Sequence, residues 1–105
     1  MKKTQKTPAN GVWKMELDRF GYTLVVVGRT KEETEQAMRE EYIRTYAKWN
    51  GLNEDAIRAA LVSPVCDENG EVDEYDPCNE FVQYYCNAFE DAEARFYEYG
   101  KVEWE

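Results

Sequence analysis

A chain of 105 residues that is 43% hydrophobic and 14% aromatic can build one folded domain and is not a disordered tail. Its formal net charge of −9 is unevenly spread: residues 1–52 carry 10 Lys/Arg against 7 Asp/Glu, and residues 53–105 carry 3 against 15. No apolar run approaches the about 18 residues of a membrane span, no apolar stretch follows the basic start as a secretory signal requires, and the negative body opposes direct contact with nucleic acid.

Residues 1–10, with Lys2, Lys3 and Lys6, read as a flexible basic arm, and residues 11–105 as a single α+β domain. Residues 12–18 alternate, with Trp13, Met15 and Leu17 on one side and Lys14, Glu16 and Asp18 on the other, the period of a half-buried strand. Arg19, Phe20 and Gly21 make a turn. Residues 22–27 are apolar or β-branched on both faces and predict the central strand of a sheet.

Thr30 and Glu33 have capping-box spacing and open a helix over 31–49. Met38, Tyr42, Tyr46 and Trp49 form its apolar stripe. Glu35–Arg39 and Glu40–Arg44 are helix-supporting pairs worth about 0.3 kcal/mol each. Asn50-Gly51 stops this helix, and Asn53 caps a shorter one over 54–61 with Glu54 and Asp55 in its first turn. Ser63-Pro64 ends the second helix.

An acidic loop, 66–76, holds Asp67, Glu68, Glu71, Asp73, Glu74 and Asp76. Asp76-Pro77 then caps a third helix expected to reach about residue 97. Its stripe is Phe81, Tyr85, Ala88, Phe89, Ala92 and Phe96, and Glu80, Asp91 and Glu98 would continue the loop's charge along one wet line. Gly100 breaks the helix, and the alternation of 101–105 predicts a last short strand. The expected fold is α+β: a small three-stranded antiparallel sheet with two to three helices packed on one face, in the order β-β-α-α-α-β.

The inventory argues against catalysis. The chain has no His, and its one serine, Ser63, precedes a proline, so a nucleophile lacks its usual base. Asp67, Asn69, Glu71 and Asp73 alternate like the first ligands of a calcium loop, but Val72 stands where the Gly belongs and Cys78 where the bidentate Glu belongs. No enzyme activity, metal or cofactor is expected. Three cysteines, Cys66, Cys78 and Cys86, are an odd set without C-x₂-C spacing. They suit reduced, packed thiols in a cytoplasm, that of a host cell if the chain is phage-encoded.

Two partner surfaces stand out. Asp67, Glu68, Glu71, Asp73, Glu74, Asp76 and Glu80, with Tyr84 as a contact, could present a negative ridge to a basic protein surface such as that of a nucleic-acid-binding enzyme. Alternatively, one bare sheet face, either Thr23, Val25 and Val27 or Tyr22, Leu24 and Val26, could join two copies of the chain, with the acidity serving only solubility. In character (compact, acidic and motif-free) the chain is similar to phage-encoded inhibitors of host defence nucleases, including anti-CRISPR proteins. That similarity is compositional and covers no alignable segment. It implies an inhibitor that blocks a basic groove by charge mimicry, with no membrane contact.

Overall fold

A computed structural model describes residues 11–99. The expected arm at 1–10 and the expected strand at 101–105 lie outside them. The elements are β1 (Gly11–Asp18), β2 (Thr23–Gly28), α1 (Lys31–Asn50), α2 (Glu54–Val62), α3 (Pro77–Phe89) and β3 (Arg95–Glu98), the α+β order expected. The three strands form one antiparallel sheet in the order β2-β1-β3. By its contacts the chain divides into two compact units, one running to Arg39 and resuming at Ala92, the other Glu40–Asp91.

In the first unit the period-two pattern of β1 survives: Met15 and Leu17 are buried, Glu16 and Asp18 exposed. The central strand is β1 and not the apolar run after it. β1 is long enough to serve two partners, pairing with β2 from Trp13↔Gly28 to Asp18↔Thr23 and with β3 from Gly11↔Glu98 to Lys14↔Arg95. β2 is left at an edge and buries only Leu24 fully, while Val25 and Val27 are 52% and 60% exposed. Gly28 lets α1 start close against the sheet, since a Cβ there would lie 2.5 Å from Thr34 Oγ1.

The α1 entry is a variant of the expected box. Thr30 Oγ1 accepts from the Glu33 N–H at 3.0 Å, but the Glu33 carboxylate accepts from Arg29 N–H at 2.9 Å, one residue upstream of the usual partner. Thr34 is fully buried and satisfied, its hydroxyl donating to Thr30 O at 2.7 Å. Glu35 accepts from the Ala94 N–H at 3.0 Å, and Lys31 pairs with Glu93 at 3.1 Å, a contact that raises the lysine's pKa through the Glu93 hydrogen bond and charge. These contacts hold the returning chain on the first turns of α1.

The expected extent of the third helix is corrected. The third helix ends at Phe89, not near residue 97, and the last described strand is 95–98. The last turn of α3 has no basic residue, and Glu90 and Asp91 follow at its negative end, where they oppose the helix dipole. Phe96 is therefore not part of a helical stripe. It lies opposite Trp13 in the sheet, ring centroids 5.6 Å apart. Ala92 also falls outside the helix.

The second unit packs the later turns of α1 with α2 and α3. Tyr42, Ile43, Tyr46, Ala47, Ile57, Ala60, Phe81 and Ala88 are buried there. Phe81 is fully buried among aromatic rings, 5.0 Å from Tyr46, 5.6 Å from Tyr85 and 6.2 Å from Tyr42. Trp49, expected on the same stripe, is 63% exposed at the last turn of α1. The expected Glu40–Arg44 pair is replaced by other partners, one nearer in sequence and one farther. Arg44 takes Glu41 at 2.6 Å, and Glu40 takes Arg58 of α2, which also holds Glu54 at 2.7 Å. Bonds to both carboxylates push the Arg58 guanidinium further up, so it is charged at every accessible pH.

Candidate functional site

The expected partner-binding residues all fall in the second unit, on the segment between α2 and α3 and on the first turns of α3. The acidic segment is a closed, hydrogen-bonded turn. Cys66 and Val72 bridge as an antiparallel pair, and Asp67 N–H donates to Glu71 O at 2.7 Å. Gly70, with φ of 82°, closes the turn by donating to Asp67 O at 3.0 Å. Asp67 Oδ1 accepts from the amides of Asn69 and Glu71 at 2.8 and 3.0 Å.

Asp73 repeats the device, accepting from Tyr75 N–H at 3.1 Å, while its own amide donates to Val65 O at 3.0 Å. Asp76 caps α3 as expected, its carboxylate accepting from Cys78 N–H at 2.8 Å ahead of Pro77. Three of the acids thus build the backbone, whereas Glu68, Glu71, Glu74 and Glu80 are exposed without such duties.

Asn79 holds the segment to α3. Its Oδ1 accepts from Val65 N–H at 2.9 Å, and its Nδ2 donates to Val65 O at 2.9 Å and Asp73 O at 2.7 Å. Sequence reasoning misses this residue, because an Asn three positions after a helix cap reads as an ordinary polar position. Its function depends on where residues 65 and 73 return in space.

Glu74 and Glu80 stand on a groove of about 410 Å³ formed by α2, the loop and α3, with Leu61, Val72 and Val82 among its lining. Tyr84 is half exposed, its ring 6.1 Å from Tyr46. Burial pushes the Tyr46 phenol up, and the Glu80 charge adds to the effect. None of the ion pairs among the described residues involves an acid between 67 and 80.

The longer ridge is corrected. Of the three acids expected along one line of the third helix, only Glu80 lies on α3; Asp91 follows the helix, and Glu98 belongs to β3 in the other unit. The cysteines are free thiols, but Cys66 and Cys86 are exposed instead of packed. Cys78 is half-buried, and burial, with the Asp76 charge and hydrogen bond, raises its thiol pKa. Among the described residues no three His, Cys, Asp or Glu side chains gather as a metal cage. Among the same residues no helix is long and apolar enough to cross a membrane. No protein-family model, curated protein or solved structure matches this chain.

Proposed function

We propose that the protein is a stoichiometric protein-binding inhibitor. It presents the acidic turn and the start of α3 to a Lys/Arg-lined groove of a nucleic-acid-binding enzyme, such as a host defence nuclease, and displaces the nucleic acid by charge. The observation that carries this reading is a carboxylate surface that is conformationally fixed and pairs with no described cation. Asn79 and the Asp67 and Asp73 turns fix it. A pre-ordered charged surface loses little entropy on docking, and it attracts basic surfaces over a Debye length. In this reading the protein performs no chemistry of its own.

The reversal that tests it is Glu68→Lys, Glu71→Lys and Glu74→Lys together, since the side chains of these exposed acids make no described hydrogen bond and their replacement spares the backbone bonds of the turn. Immobilised protein should retain basic nucleic-acid-binding proteins from a bacterial lysate at about 0.05 M salt and release them at about 0.5 M. Added duplex DNA should compete, and the triple variant should retain nothing. Retention unchanged by the reversal and by DNA refutes the proposal.

A second reading, a homodimer through the sheet of the first unit, is supported by the exposed side chains of Val25 and Val27 on β2. It expects twice the chain mass in sedimentation, insensitive to salt and abolished by Val25→Lys.

A further inference from the structure

The acidic groove of the second unit combines two features that a single kind of ligand satisfies together. Leu61, Val72 and Val82 supply apolar lining, and Glu74 and Glu80 supply two carboxylates on the same cleft. A purely apolar occupant would strip water from these carboxylates without replacing it. A small inorganic cation would leave the apolar lining wet, and a phosphate would be repelled. Arginine and lysine bury an aliphatic stem while keeping a charged head at a polar edge. Arginine has the further match of a planar fork to a carboxylate.

The volume of about 410 Å³ lies within the range of about 300–1,000 Å³ typical of ligand sites and exceeds the needs of one side chain. Its walls are preformed, because α2 and α3 are packed helices and Asn79 pins the loop that carries Glu74.

Resting on the inhibitor reading, we propose that this groove seats one arginine (or lysine) of the partner together with an adjacent apolar side chain. The partner segment is thus a polypeptide in which basic and aliphatic residues neighbour each other. The exposed acids of the turn then steer the approach, and the groove supplies the specific anchor.

The test is an NMR titration of the full chain with a capped hexapeptide of alternating Leu and Arg. The comparison peptides are its Leu/citrulline counterpart and hexa-arginine. Two variants are run in parallel: Gln83→Trp, which fills the groove from an exposed lining position at unchanged charge, and Glu74→Gln with Glu80→Gln. Amide spectra confirm that each is folded.

The expected result is shifts at Leu61, Val72 and Val82 with the Leu/Arg peptide. Affinity should fall about tenfold for either variant and for citrulline, the size of one lost charge-assisted contact. If Gln83→Trp binds as well as the wild type while the double Gln variant and salt weaken all cationic peptides equally, the groove proposal is overturned and the acidic-surface reading stands. If no peptide shifts any amide at about 0.05 M salt, both are overturned.

Discussion

Asn79→Ala tests whether one side chain positions the acidic surface. The substitution removes three hydrogen bonds, from Val65 N–H, to Val65 O and to Asp73 O, at 2.9, 2.9 and 2.7 Å. Each contributes about 1 kcal/mol net, so the gross loss is about 3 kcal/mol. All three are partly buried, so water recovers some of this, and alanine in a helix returns about 0.5 kcal/mol relative to asparagine. The expected destabilisation is therefore about 2 kcal/mol, a fall of about 1–2 M in urea midpoint for a small domain. Asn79→Asp keeps the shape and the acceptor but turns a carboxylate toward two carbonyl oxygens. It should destabilise at least as much as Asn79→Ala. Hydrogen exchange should accelerate at the Val65 and Asp73 amides, while the β1 amides keep their relative protection. A loss below about 0.5 kcal/mol for Asn79→Ala, or an Asn79→Asp variant as stable as the wild type, would refute the clasp.

Three other outcomes can be checked independently. Gly28→Ala places a Cβ 2.5 Å from Thr34 Oγ1 and should cost about 1–3 kcal/mol in chemical denaturation, most of it recovered in a Thr34→Ala background. The raised Tyr46 pKa means that the unfolded chain releases this proton first as pH rises. Stability should therefore be undiminished below the ordinary tyrosine pKa of 10.0, fall as pH climbs through and beyond it, and lose that slope in Tyr46→Phe. Cys66 and Cys86 should react with a chromogenic disulfide reagent before Cys78 at pH 8, because Cys78 is half-buried and its thiolate is disfavoured; equal rates would contradict that placement.

Much of the local structure is legible in the chain. The alternation of 12–18, the Asn53 cap that accepts from Ala56 N–H at 3.0 Å, and the Asp76-Pro77 start of α3 all involve partners within a few residues. What escapes is whatever a distant partner decides. Residues 95–98 have helical company in sequence, yet they pair with β1 once Glu90 and Asp91 stand at the wrong end of a helix. Glu40 has Arg44 one turn away, yet it bonds Arg58. The carboxylate line drawn through Glu80, Asp91 and Glu98 fails for the same reason, because it presumes a helix that stops at Phe89.

The order of residue types was enough to specify the class of fold, the helix starts and the location of the negative charge, because propensity, capping and charge density act over one or two turns. Which strand is central, where α3 stops, and how the acidic turn is anchored beside an apolar groove depended on the folded chain. Pairing β3 with β1, and bringing Asn79 to Val65 and Asp73, are choices between local and long-range contacts. Such choices turn on differences of a few kcal/mol that only the assembled packing resolves.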